Sequence, residues 1–156
     1  MKRSTLTITI LATLLILFGG YLVFGGTSGL SAPAANGVSV SLYKSPTCGC
    51  CGLYAAYLRS AGFTVDVQEV SDMAVVKEQY GVPGDLQSCH TSVIDGKVVE
   101  GHVPVEAVTK LLSQDSVTAI SLPGMPSGSP GMPGGKLAPF TIYSFSGSEP
   151  VIFTEL

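Results

Sequence analysis

Charged side chains are scarce in this sequence: only 12% of its 156 residues are Asp, Glu, Lys or Arg. The 8 basic and 11 acidic residues give a formal net charge of −3, so we expect no nucleic-acid partner. The acidic residues form no constellation suited to hydrolysis, and no catalytic residue is assigned. Four cysteines are too few for a disulfide scaffold at this length.

Hydrophobic residues are abundant by comparison. They make up 46% of the chain, which is too apolar to be disordered throughout. The length suits one domain with an appended segment. The 19 glycines and 10 prolines indicate substantial loops.

The N-terminus carries an uncharged run at residues 6–24, directly after Lys2 and Arg3. This run is about long enough to span a bilayer as a helix, and the two basic residues are expected to stay in the cytoplasm. We therefore predict an anchor in the cytoplasmic (inner) membrane and a linker within residues 1–36, followed by an extracytoplasmic, periplasmic domain at residues 37–156. The alternatives are a signal peptide cleaved near the small residues 32–34, and a buried core helix.

The rest of the chain alternates between strand-like and helix-like patterns. A mixed sheet with flanking helices is predicted because such alternation places helices against the faces of a sheet. The order β-α-β-α-β-β-α is the one used by thioredoxin-like folds, and we predict that fold class for a core at residues 38–114. A Gly/Pro/Met loop at 122–135 and a β-hairpin at 139–154 follow. The predicted strands are residues 38–43 and 63–70 and a hairpin at 91–100, and the predicted helices are residues 52–61, 72–80 and one opened by Pro104.

All four cysteines are expected to meet at one place. Cys48, Cys50 and Cys51 lie at the junction of the first strand and first helix, while Cys89 lies in the loop that approaches this junction in thioredoxin-like folds. A helix N-terminus favours thiolates, which serve both redox exchange and metal binding. Disulfides alone are the alternative, and a Cys48–Cys51 bond is geometrically easy.

The crowding of the cysteines favours a soft metal. Adjacent Cys50 and Cys51 diverge and rarely bind one ion together, whereas thiolates that bridge several Cu(I) ions would use crowded cysteines naturally. We therefore predict copper as Cu(I), with a multinuclear site as one form. Four further candidate ligands have soft or borderline donors: His90, His102, Met125 and Met132. The alternatives are an outward-pointing His90, a surface His102, and methionines that plug the loop.

Five motifs occur in order between residues 43 and 132: YKSPTCGCCG, YGVP, SCHT, EGHVP and PGMPSGSPGM. This set resembles the CopG-type copper-resistance family over roughly residues 38–132. The resemblance implies a thioredoxin-like fold, a copper site built from Cys48, Cys50, Cys51 and Cys89, and periplasmic copper handling with redox interconversion of copper. The sequence departs from the family pattern at Tyr54 and Tyr57, where relatives commonly carry Trp and His.

Three functions are consistent with the sequence. A copper-binding protein that exchanges the metal with other copper-handling proteins would use all four thiols. A thiol–disulfide oxidoreductase would use Cys48 and Cys51, but it leaves Cys50 and Cys89 surplus. A structural zinc domain that binds a partner protein leaves the methionine-containing loop unexplained.

Overall fold

The computed structural model describes residues 37–146 and 149–156. These residues form a mixed α/β fold in which three helices accompany one seven-stranded sheet. The strands are β1 (Ser39–Lys44), β2 (Thr64–Glu69), β3 (His90–Ile94), β4 (Lys97–Glu100), β5 (Ala119–Ser121), β6 (Thr141–Ser144) and β7 (Val151–Glu155). The helices are α1 (Gly49–Ser60), α2 (Met73–Gln79) and α3 (Val105–Leu112), with a 3₁₀ turn at Gly84–Leu86.

The sheet has the strand order β2-β1-β3-β4-β5-β6-β7. Strand β1 pairs parallel with β2 through the crossover helix α1, and antiparallel with β3 on its other side. Strands β3 and β4 form the predicted hairpin, whose turn residue Asp95 has a φ of 49°. The β4–β5 pair is parallel, whereas β5–β6 and β6–β7 are antiparallel. The predicted mixed sheet is therefore confirmed, and it brings the N-terminal end of α1 and the start of β3 to the same region.

Helix α1 packs on the sheet through positions spaced three or four residues apart. Cys51, Tyr54, Ala55 and Leu58 are buried along this face, as the helical period requires. Leu53, in contrast, is 61% exposed. It precedes Tyr54 by one residue, and this step of about 100° turns its side chain away from the core.

The C-terminal hairpin of β6 and β7 joins the main sheet instead of standing apart. The connection is β5, a three-residue strand that was not predicted and that is buried throughout. Its sequence, Ala-Ile-Ser, is too short to display an alternating pattern. The residues between β5 and β6 form the predicted Gly/Pro-rich loop, without regular secondary structure.

The predicted anchor at residues 6–24, the linker and the cleavage site at 32–34 lie outside the described residues. Within residues 37–146 and 149–156, no helix has the length and hydropathy that crossing a bilayer requires.

Candidate metal centre

Three cysteines surround the first turn of α1. Cys48 is the N-cap residue, and its backbone N–H donates to the carbonyl of Ser45 at 3.0 Å. Cys50 and Cys51 follow inside the helix, where Cys51 is fully buried and Cys50 is half-buried. The positive end of the helix dipole lies at this turn and stabilises negative charge on sulfur.

Cys89 reaches this turn from the residue before β3. Its Sγ atom lies 3.6 Å from Sγ of Cys51, although 38 residues separate the two in sequence. Sγ of Cys48 lies 3.5 Å from Sγ of Cys50, and all four sulfurs fall within 4.8 Å of one another. The predicted convergence of the four cysteines is therefore confirmed, while their role as ligands stays a prediction.

Two of the four sulfurs are joined. Cys48 and Cys51 form a disulfide, whereas Cys50 and Cys89 are free thiols. A disulfide sulfur is not a thiolate and cannot act as a thiolate ligand. The arrangement described is therefore the oxidised form of the centre, and ligation by all four cysteines requires two-electron reduction of this bond.

Both histidines contact Cys89. Nε2 of His102 lies 3.0 Å and Nδ1 of His90 lies 3.4 Å from the Cys89 Sγ atom. The two side chains are fully buried, so neither is a surface histidine. Cys89, His90 and His102 thus form a second group of possible ligand atoms that shares one sulfur with the first.

The hydrogen bonds of His102 identify its tautomer. Nδ1 lies 2.7 Å from the carbonyl oxygen of Pro130, which can only accept, so Nδ1 carries the proton. Burial lowers the pKa of His102 and keeps the ring neutral, although the bond to Pro130 acts in the opposite direction. Nε2 therefore presents a lone pair to Cys89. A histidine held in this way has the orientation that a metal ligand requires.

The thiol of Cys89 supplies the proton for a hydrogen bond to the Nε2 lone pair of His102. Burial, followed by the charge of neighbouring Cys50, raises the pKa of Cys89 to about 12. In the metal-free protein Cys89 is consequently a thiol near neutral pH, and its S–H can donate to Nε2 of His102. A metal ion that binds this sulfur must displace the proton.

His90 is buried with one ring nitrogen unsatisfied. Its Nε2 atom has no hydrogen-bond partner among the described residues. Desolvation, followed by the charges of His102 and Lys77, sets the pKa of His90 well below its usual 6.5. The ring stays neutral near pH 7, as a metal ligand or a hydrogen-bonded neighbour of one would require.

Tyr54 packs against both imidazoles. Its ring centroid lies 4.6 Å from that of His90 and 5.4 Å from that of His102. The hydroxyl group donates to the carbonyl oxygen of Val103 at 2.8 Å, and burial raises the pKa of the phenol. Tyr54 therefore serves as a rigid wall of the site, a role that the sequence pattern did not identify.

The Gly/Pro/Met loop passes over the start of α1. Gly131 has a φ of +82°, and a Cβ atom there would lie 2.8 Å from the backbone N of Tyr54 and 3.1 Å from the carbonyl oxygen of Cys50. Any side chain at position 131 would push the loop off the helix. Met132 follows this contact and is half-buried, whereas Met125 is 54% exposed. Met125 therefore does not plug the loop, and ligation by either methionine stays a prediction.

Known proteins share this arrangement of sequence and fold. Residues 86–132 match a family model described as a protein of unknown function, DUF411. A comparison with curated proteins gives no significant match. A solved structure titled copper resistance protein CopG, form 1, is 36% identical, with a TM-score of 0.71 over 76% of this chain and 97% of that chain.

Form 2 is 35% identical, with a TM-score of 0.73 over 78% of this chain and 99% of its own. The chain belongs to the CopG copper-resistance family. The resemblance predicted from the five motifs is thereby confirmed. The residues that match DUF411 include Cys89, both histidines and both loop methionines. The CopG structures extend the similarity over most of the chain.

The stability of the metal-free protein should depend on pH through the buried histidines. The folded-state pKa of His90 and of His102 is lowered, so the unfolded chain binds more protons below about pH 6.5. Their contribution to stability is complete above pH 6.5 and is lost as the pH falls toward the folded pKa. For His90 the loss approaches about 1.4 kcal/mol per pH unit.

Thermal unfolding between pH 7.5 and 5 would measure this effect as a falling Tm. His90→Asn should flatten the dependence, because the variant has no imidazole to protonate in the unfolded chain. A wild-type Tm that is constant or rises as the pH drops through this window would contradict the prediction.

Proposed function

We propose that this protein is an extracytoplasmic copper-binding protein that holds Cu(I) in a cysteine thiolate site for copper handling or resistance. The convergence of four cysteine sulfurs within 4.8 Å is the observation that carries the proposal. Soft thiolates select Cu(I) over harder cations. Membership of the CopG family supports copper over other soft ions.

The reduced site holds more than one copper ion. Cys50 and Cys51 are adjacent on a helix, so their side chains diverge and suit different ions. Cys89 lies between the other cysteines and the two imidazoles, which makes its sulfur suited to bridging. His90 and His102 are proposed as nitrogen ligands. Half-buried Met132, which directly follows Gly131 at its close approach to α1, is a better candidate for a thioether ligand than exposed Met125.

Redox cycling of copper is proposed for the same centre. Oxidation of the Cys48 and Cys51 thiolates to their disulfide releases two electrons, which reduce two Cu(II) ions to two Cu(I) ions. The disulfide form and the dithiol form would then differ both in electrons and in available ligands. An external dithiol or other two-electron reductant would restore the ligands.

We also propose a fold class, a cellular location and exchange partners for the protein. Delivery of the cysteine motif from β1 into α1 supports assignment to the thioredoxin-like class. The N-terminal apolar run with its basic flank supports a periplasmic domain anchored in the inner membrane, with a cleaved signal peptide as the alternative. Other copper-handling proteins are the proposed exchange partners.

A thiol–disulfide oxidoreductase is the second candidate. The disulfide at the N-terminus of α1 is the observation that favours it, because such placement lowers thiol pKa values and promotes exchange. Two free thiols next to that disulfide count against it. Once deprotonated, Cys89, 3.6 Å from Cys51, could attack the bond and trap the enzyme in an internal misbridge.

Metal content tests the proposal directly. The full chain would be purified without oxygen from cells supplied with both copper and zinc, and copper and zinc per chain would be measured. We expect copper to predominate, and a Cys50→Ser/Cys89→Ser variant to lose most of it. One zinc per chain without copper would instead identify a structural zinc domain, and a metal-free wild type would favour the oxidoreductase.

A further inference from the structure

A buried ion pair lies beneath the metal centre. Lys77 of α2 and Glu100, the last residue of β4, hydrogen-bond through Nζ and Oε1. Their side chains are only 6% and 0% exposed. Removing two charges from water is costly, and an apolar pair of similar volume is often equally stable, so stability alone does not account for this pair.

The Glu100 carboxylate holds both ends of one short segment. The backbone N–H of Ser88 donates to Oε1 at 2.7 Å, and the hydroxyl of Thr91 donates to Oε2 at 2.6 Å. Between these two donors lie Cys89 and His90. The segment that brings a sulfur and an imidazole to the centre is thus fixed at both ends by one carboxylate.

Glu100 also directly precedes Gly101 and His102 in the chain. The N–H of Gly101 donates to the carbonyl of His90 at 3.0 Å. Gly101 has a φ of +83°, and a Cβ there would lie 2.7 Å from the Ser88 side chain. Glu100 is therefore connected to both chain segments that converge on the Cys89 sulfur.

We propose that Glu100 is a positioning residue for the metal centre, with Lys77 as its buried counter-charge. The carboxylate fixes the Ser88–Thr91 segment so that Cys89 faces both α1 and His102 before any metal arrives. Second-sphere hydrogen bonds of this kind typically alter metal affinity about 10- to 100-fold. The effect on copper rests on the proposed function, whereas the effect on Cys89 itself does not.

Two measurements separate positioning from simple structural support. The first is Cu(I) affinity of the reduced protein in competition with a chromophoric Cu(I) chelator. The second is the alkylation rate of Cys89 in metal-free Cys50→Ser protein with the Cys48–Cys51 disulfide intact, in which Cys89 is the one reactive thiol. The alkylation rate reports how well the segment is held, without involving copper.

Glu100→Gln and Thr91→Val are the test variants. Thr91→Val removes the hydroxyl that donates to Glu100 and that accepts from Lys77 Nζ at 3.5 Å. It changes no charge, so an effect on Cys89 cannot come from a lost or added charge. Thr91→Ser retains the hydroxyl and should restore the wild-type values. Glu69→Gln is the control for the change of charge, because Glu69, 57% exposed, pairs with buried Lys44 at 2.9 Å and its side chain makes no bond to the Cys89 segment.

We expect Glu100→Gln and Thr91→Val to weaken Cu(I) binding by about tenfold or more. Alkylation of Cys89 should become about tenfold faster, since loss of a buried hydrogen bond makes local opening more frequent. If Glu100→Gln fails to fold, Thr91→Val still decides the question. Affinity and alkylation rate both within about twofold of wild type in folded Thr91→Val would overturn the proposal.

Failure of the proposed function has a different signature. A reduced wild type that binds no Cu(I) would refute the copper site, while faster alkylation in Thr91→Val would still support positioning of Cys89. Wild-type copper binding together with unchanged alkylation and affinity in the variants would refute positioning alone.

Discussion

Reduction of the Cys48–Cys51 disulfide should raise the affinity of the protein for Cu(I) by at least about tenfold, since thiolates are the preferred ligands of this ion. In the oxidised form two of the four sulfurs are bonded to each other, and only Cys50 and Cys89 remain as thiols. Reduction frees two further thiolates within 4.8 Å of them. The copper stoichiometry should increase together with the affinity.

The measurement is anaerobic titration of both redox forms with Cu(I) against a competing chelator, with free thiols counted in each sample. A Cys48→Ser/Cys51→Ser variant is the matched control, because it has the same two remaining thiols as the oxidised protein. It should bind copper as weakly as the oxidised wild type, whether or not a reductant is present. Equal copper affinity of oxidised and reduced wild type would show that Cys48 and Cys51 are not ligands.

The dependence on redox state would give the two sulfurs a double role. As thiolates they would hold copper, and as a disulfide they would release it, so a reductant would load the site and an oxidant would empty it. The function of a simple dithiol enzyme does not require that copper binding depend on the redox state of the two cysteines. The comparison of redox forms therefore distinguishes the two leading functions without any knowledge of a partner protein.

Periodic patterns predicted most of the fold. Apolar residues that recur at strand and helix spacing predicted the order of the elements from β1 to α3, including the β3–β4 hairpin at residues 91–100. The short strand β5 escaped prediction because three residues carry no readable period. Its parallel pairing with β4 depends on long-range contacts that local sequence does not encode.

The residues of the candidate metal centre could be predicted from the sequence, but their geometry could not. The C-x-C-C motif and the Ser-Cys-His motif identified the four cysteines, and topology brought them together. The tautomer of His102 depends on the carbonyl of Pro130, 28 residues away, and no sequence motif predicts this contact. The burial of Lys77 and Glu100 could not be predicted either, since charged residues in a sequence are usually assigned to the surface.

Replacing Cys50 with serine should abolish most copper binding and leave the fold intact. Cys50 lies in the first turn of α1, is half-buried and takes no part in the disulfide. Its Sγ atom is nevertheless 3.5 Å from that of Cys48. A serine hydroxyl is a poor ligand for Cu(I) at neutral pH, so a cluster that shares every thiolate loses a bridging position.

The copper-binding function requires the Cys50 thiol, whereas the oxidoreductase function does not. A dithiol enzyme exchanges electrons through Cys48 and Cys51 and tolerates serine between them. Cu(I) stoichiometry and disulfide-reduction activity should therefore be measured side by side on Cys50→Ser. Leu53→Ser is a suitable control, since it introduces the same side chain one turn further along α1 at a position that is 61% exposed.

We expect Leu53→Ser to bind copper like the wild type and Cys50→Ser to lose at least about tenfold in Cu(I) affinity. Circular dichroism and thermal unfolding of both variants should match the wild type, because neither side chain belongs to the buried core. Unchanged copper stoichiometry in Cys50→Ser, together with retained disulfide reduction, would reject the thiolate cluster. The Cys48–Cys51 pair would then be the functional unit, and the third thiol in the motif would be dispensable.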